Sequence, residues 1–337
     1  MWPFRRESSR QRGAAFCILA ALATSCAPRV EVARSPAAER SRRVDRPAPA
    51  VDLVLNNEEL AIRDELRRHV ERLAGGIGER HAARPWELAD AADYVAIEFE
   101  QAGYSIVRQG FEVGDVMAQN LEAGLSGDGL EGQIVVVGAH YDSPENSRGA
   151  NDNASGVAML LTLAARMKKD KFWRSLRFVA FANSAGDAFA RDDMGSLVYA
   201  RHAAERGESI VGAVSLDRIG LLSRPGVSGE NPDVQVVGTP ESGKLVQAVA
   251  LALARQGSSA TPTLLDASNA HARSDQWAFS QLGFPGVWVV GSGRARGDED
   301  GVDAIELDSM ARLAIGLEET LKELCIVRAR HATELDG

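Results

Sequence analysis

Residues 134 to 160 read IVVVGAHYDSPENSRGANDNASGVAML, and the order of elements in this stretch decides the fold. Ile134 to Val137 are four consecutive apolar residues closed by Gly138, the pattern of a strand buried on both faces of a parallel sheet. His140 and Asp142 stand at its end. Residues two apart on an extended chain point the same way, so the Asp142 carboxylate is expected to reach one ring nitrogen of His140, fix its tautomer and free the other nitrogen for a metal. Ten residues on, Asp152 lies in the turn Gly149-Ala150-Asn151-Asp152-Asn153, which leads into the helical apolar pattern of Val157, Leu160, Leu161, Leu163 and Ala164. The turn therefore returns a carboxylate to the strand end. Taken singly, these residues also read as a loop histidine, a helix N-cap and turn-forming asparagines. Together they occupy the crevice at the carboxyl ends of strands where open α/β sheets bind ligands.

Outward from this unit the alternation continues. Before it, Glu58 to Leu73 and Trp86 to Gln101 have the apolar spacing of helices, the second ended by Gly103, and Tyr104 to Val113 and Leu121 to Leu125 read as strands. After it come strands at Leu176 to Ala182, Ile210 to Leu216, Val234 to Val237 and Gly283 to Val290. Helices are expected from Met194 to Ala204, Ser242 to Arg255 and Leu307 to Leu324. Strands and helices alternating over short connections predict one α/β domain over residues 51–330, with a mostly parallel central sheet flanked by helices.

The acidic balance, 47 Asp plus Glu against 38 Lys plus Arg, excludes a nucleic-acid binder that works by displacing counterions. Only Cys325 lies in the body of the chain; Cys17 and Cys26 precede it, so neither a disulfide within the domain nor a cysteine zinc site is available. Arg5, Arg6, Arg10 and Arg12, then an apolar run from Ala14 to Ala23, predict a secretory signal peptide over residues 1–25, too short to span a membrane. Leu22-Ala23-Thr24-Ser25-Cys26 resembles a bacterial lipobox, with a plain signal-peptidase site as the alternative. On the first reading Cys26 is lipidated, residues 26–50, rich in Pro, Arg, Ala and Ser, form a disordered tether, and the protein faces the periplasm or exterior from a membrane of the cell envelope.

The ensemble of strand, His-x-Asp, glycine-rich turn and Asp before a helix resembles the co-catalytic zinc aminopeptidases. These are the bacterial leucyl and Streptomyces-type enzymes, related to glutamate carboxypeptidase and the glutaminyl cyclases. The resemblance extends from about residue 58 to 325 and also rests on FVAFANSAGDAFARDDMGSLVYAR and on SLDRIG, residues 178–201 and 215–220. It implies the phosphorylase/hydrolase-like α/β fold of that family, a metal held by His140, Asp152 and Asp217 with Asp142 orienting His140, and an ancestral hydrolysis of N-terminal residues from peptides. One histidine and two carboxylates suit zinc.

Elsewhere the chain departs from the family. The strand from Leu176 to Ala182 runs, in the family, into two glutamates, the first the general base and the second a ligand of a second zinc. Here those positions are Ser184 and Ala185. Alanine offers no donor atom, and a serine hydroxyl takes no proton near neutral pH without a base of its own. Ser274-Asp275-Gln276-Trp277 carries Gln276 where the family has histidine, and the late Tyr-His pair is replaced by Gly291 to Asp300. Asp187, Asp192, Asp193, Asp298 and Glu299 are the acids near enough in sequence to be recruited. The resemblance so amended implies one zinc rather than two and impaired hydrolysis. The expected role is a surface-anchored module for peptide N-termini or a protein partner. Two alternatives are an active one-zinc aminopeptidase with recruited acids and a single-zinc cyclase chemistry, the latter lacking two of its implied ligands.

Overall fold

The computed structural model describes residues 54–222, 232–266, 274–293 and 300–325. The expected signal peptide, the tether with Cys26, and the acids Asp298 and Glu299 lie outside the described residues. In chain order the elements are α1 (Asn57–Val70), α2 (Pro85–Gln101), β1 (Ile106–Val113), β2 (Val116–Leu125), β3 (Leu130–His140), α3 (Ser155–Met167), β4 (Arg174–Phe181), α4 (Gly195–Glu205), β5 (Ser209–Leu216), β6 (Asp233–Gly238), α5 (Gly243–Arg255), β7 (Ser259–Leu264), α6 (Gln276–Gln281), β8 (Gly286–Gly291) and α7 (Leu307–Cys325). All eight strands join one sheet in the order β1-β2-β4-β3-β5-β8-β6-β7. None of the described helices is long and apolar enough to cross a membrane.

The apolar run of β3 is continuous because the strand is covered twice. Val135, Val137 and Ala139 belong to the main core, with Val157, Leu160 and Leu161 of α3 and the buried faces of α1, α2, α5 and α7. Ile134 and Val136 point the other way, into a second cluster with Tyr199, Ala200 and Ala203 of α4 and Phe279 of α6. That is the period of two expected of a strand between helical layers. β4, β3, β5 and β8 run parallel to one another, so their C-terminal ends meet at one edge of the sheet. Gly138 leaves room for a side chain of β4: a Cβ there would fall 2.3 Å from the Phe181 ring.

The elements depart from the sequence expectations where local pattern is weak. β2 starts at Val116 rather than Leu121, because a tight turn at Gly114, with φ of 57°, folds it back on β1 through its polar residues Gln119 and Asn120. α1 stops at Val70 and the chain continues to Ile77 in a wider turn ending in Gly75, Gly76 and Ile77. β7 has no apolar run to announce it; it is an edge strand with exposed residues and a proline, Pro262, where an edge tolerates one. β6 pairs antiparallel with β8, since it follows β5 without an intervening helix among the described residues and so makes no crossover.

Candidate functional site

At the shared strand edge, three side chains from three segments converge. His140 ends β3, Asp217 follows β5, and Asp152 sits in the turn before α3. His140 Nε2 lies 3.4 Å from Asp152 Oδ1 and 3.6 Å from Asp217 Oδ1. One ligand atom from each residue lies within 4.8 Å of the other two. Donors about 2.0–2.1 Å from a tetrahedral zinc are spaced about 3.3–3.4 Å apart, so these separations fit the ion. Asp217 Oδ1 is buried and has no hydrogen-bond partner, which also fits a group built to hold a cation.

The electrostatics follow from crowding. Burial alone would lower the His140 imidazole, but hydrogen bonding and charge from Asp142 and Asp217 outweigh it and hold His140 well above its ordinary range. Burial and the Asp217 charge raise Asp152. Asp217 is lowered, because His140 and Arg218 together outweigh its own burial. Behind the ring, His140 Nδ1 lies 3.2 Å from the Asp142 carbonyl oxygen and 3.4 Å from its Oδ1. The second carboxylate oxygen of Asp142 accepts from the amides of Ser184 and Ala185, both at 2.9 Å. One aspartate thus ties the histidine to the end of β4.

The turn carrying Asp152 is braced by groups that no local pattern reveals. Gly149 has φ of 60°, and a Cβ there would fall 2.5 Å from the Asp152 carbonyl oxygen. The amides of Asn151 and Asp152 donate to the Asp300 carboxylate at 2.5 and 3.0 Å. The acidic run considered as a source of ligands therefore contributes, at Asp300, a clamp on the turn. Asn153 accepts from the amides of Gly156 and Arg218 and donates to Leu216 O; its peptide bond with Asp152 is cis. Below lies Arg80, fully buried, donating to five carbonyls: Tyr141, Leu73, Gly78, Arg148 and Gly149. Burial lowers its guanidinium to about 10 against the pull of Asp142, Asp300 and Asp152, and it stays charged at neutral pH.

The end of β4 differs. Ser184 and Ala185 occupy it, and neither joins the cluster of His140, Asp152 and Asp217. The Ser184 hydroxyl is buried without a close partner, as are the hydroxyl of Ser196 and both carboxylate oxygens of Asp275. Burial pushes Asp275 up to about 6, against the combined effect of His140 and those two serines. Sequence reasoning passed over this buried acid, although it stands in the quoted Ser-Asp-Gln-Trp motif. Of the other acids, Asp193 pairs with Arg191 and Asp192 with Arg201, both within 2.8 Å. Asp187 lies with His81, Asp142, Ala185 and Arg191 on the wall of a cavity of about 360 Å³. That cavity opens beside Asp142 and Ala185, and none of the three clustered residues lines it.

Residues 120–319 match the model of peptidase family M28. Among curated proteins, YfbL of Escherichia coli (strain K12), itself uncharacterized, is 30% identical over 187 residues, 53% of this chain and 56% of that protein. The chain thus spans about half the length of this curated relative. Among solved structures, BSAP, a zinc aminopeptidase from Bacillus subtilis, superposes with a TM-score of 0.67 at 14% identity, over 80% of this chain and 96% of that one. A glutaminyl cyclase from Fimbriiglobus ruber does so with a TM-score of 0.61 at 22% identity, over 77% and 94%. At such identities the likeness is one of fold.

Proposed function

Since the chain belongs to peptidase family M28, we propose that it is a zinc aminopeptidase-like protein with a one-metal centre, which binds peptide N-termini and hydrolyses them poorly or not at all. His140, Asp152 and Asp217 would hold the ion. When bound, zinc supplies a Lewis acid that polarises a peptide carbonyl. Asp142 keeps the His140 ring in place and Arg80 and Asp300 keep Asp152 at the strand edge, so the protein's part is to present a fixed ligand set. Ser184 carries the reading. The position where the family's proton acceptor belongs holds a hydroxyl, and losing a general base costs about a hundred- to ten-thousandfold.

A zinc titration combined with an aminoacyl-anilide assay tests this. The expected result is one zinc per chain after dialysis, lost in His140→Ala, and turnover no higher than in that variant. Two equivalents, or turnover that needs His140, would replace this reading by an active aminopeptidase with recruited acids. The buried, unpartnered carboxylate of Asp275 beside Ser184 favours that second reading.

The proposal extends to location. The expected leader and lipobox put the domain at a cell-envelope membrane, tethered through Cys26, where it would meet peptides or a protein partner outside the cytoplasm. Metabolic labelling with a fatty acid should mark the protein and spare Cys26→Ala; equal membrane association of the two would end the lipoprotein reading.

A further inference from the structure

Arg218 follows the clustered Asp217 directly, and its main chain is held in the left-handed region, with φ of 54°, where a side chain other than glycine's is strained. Two contacts keep it there: its amide donates to Asn153 Oδ1 at 3.2 Å, and its carbonyl accepts from the Gly291 amide at 3.1 Å. The guanidinium carbon lies 4.8 Å from the centre of the Trp288 ring, and Trp288 in turn donates through Nε1 to the Asp217 carbonyl at 3.2 Å. A cation stacked on tryptophan is placed firmly. Its hydrogen bonding is nonetheless incomplete. Nε is buried without an acceptor and stands 3.6 Å from Asp217 Oδ1, while 38% of the side chain is open to solvent.

We infer that Arg218 recognises a carboxylate on the peptide bound at this site, so that ligands carrying one beside the metal centre are preferred over their amides. The inference rests on the peptide-binding reading above and names the ligand chemistry. Guanidinium presents its donors in a planar fork that matches a carboxylate's two oxygens, which an ammonium cannot do. Asp217 is its ion-pair partner among the described residues, and holding a metal would commit that charge to the ion. Strain in the main chain, a stacked side chain, an unfilled Nε and a guanidinium partly open to solvent at the rim of this cluster together describe a group held ready for something not part of the chain. The carboxylate has two sources, the C-terminus of a dipeptide or an acidic side chain.

Calorimetric titration of the zinc-loaded protein with two acid and amide pairs separates them: Ala-Ala against Ala-Ala amide, and Asp-Ala amide against Asn-Ala amide. A hydrogen-bonded charge pair supports a preference of roughly tenfold or more for the acid in one pair. The pair that shows it identifies the source. Arg218→Gln, titrated at saturating zinc, should bring that ratio close to one while the amides still bind. Arg218→Lys keeps the charge beside Asp217, guards against a folding failure, and should leave an intermediate ratio. Matched affinities in both pairs, or a ratio that survives in Arg218→Gln or stays whole in Arg218→Lys, would overturn the inference while leaving peptide binding intact. If none of the four peptides binds, the peptide-binding reading falls with it.

Discussion

The ends of β3 and β5 and the end of β4 lie side by side on one sheet edge, yet His140, Asp217 and the nearby Asp152 gather at the first two into a group that could hold a metal ion, and Ser184 and Ala185 at the third do not join it. The backbone does not explain the contrast. β4 pairs with β3 in parallel up to His140 and Phe181, and the amides of Ser184 and Ala185 are fixed by the same Asp142 carboxylate that stands behind His140. What differs is the investment behind each half. Asp152 is backed by Asp300, Asn153 and Arg80, whereas Ser184 and Ser196 stand beside the buried Asp275 carboxylate and none of the three has a close hydrogen-bond partner. The residues that could hold a metal ion are thus the braced ones, and the end of β4 beside them is not braced in the same way.

The contrast breaks most severely if the bracing is removed. Arg80→Met would leave five carbonyls without their donor and should destabilise the fold by about 4 kcal/mol or more, read as a lower urea midpoint. A loss under about 1 kcal/mol would mean that water replaces the guanidinium easily. The other half should respond in the opposite direction. Asp275 rises from 3.8 to about 6 on folding, so the folded state binds its proton more tightly than the unfolded chain does. Stability is then undiminished below about pH 4 and falls as pH climbs through about 6. In the metal-free protein, Asp275→Asn should therefore gain up to about 3 kcal/mol at pH 8 and nothing at pH 3.5. A gain of equal size at both values would point to packing instead of charge.

Two smaller effects sharpen the division. Asp142→Asn should weaken zinc binding roughly ten- to a hundredfold, as removal of a group that orients a histidine ligand does, without changing stoichiometry. Unchanged affinity would assign the orientation of His140 to the Asp142 carbonyl alone. The double variant Ser184→Glu with Ala185→Glu should take up a second zinc equivalent weakly, and each single change should do little, since groups that act as a unit are not additive. Elemental analysis showing one equivalent in every variant would mean that the β4 end has lost geometry as well as ligands.

How far the molecule can be read from its sequence depends on how local the cause is. β3 and α3 are legible because a doubly covered strand needs an unbroken apolar run and the helix behind it an apolar face. Asp142, Asp152 and Asp217 sit at strand ends and a turn, so their approach to His140 follows from the order of elements once the strands are parallel. β7 is not legible, because an exposed edge strand needs no apolar pattern and admits Pro262. Arg80 and Asp300 are not legible either. They reach the Asp152 turn from 69 and 148 residues away in sequence, and a lone arginine or one acid in an acidic run gives no hint of its contact. Ser184 and Ala185 are plain in the sequence, whereas the setting of Asp275 depends on which hydroxyls its burial places nearby, those of Ser184 and Ser196.

The guanidinium at residue 80 also bears on where the working unit of this protein begins. The family match opens at residue 120, at the second strand of the sheet, and closes at 319, inside the last helix. A fragment cut to those limits would contain every clustered residue and still lack the cation that gathers the carbonyls of Tyr141, Arg148 and Gly149 into one fold of the chain. It would also lack α1, which packs on α3 and α7. The matched stretch and the unit that braces its loop therefore have different borders here. A piece able to hold its own loop in shape must start ahead of Arg80, some forty residues before the match to the family model begins.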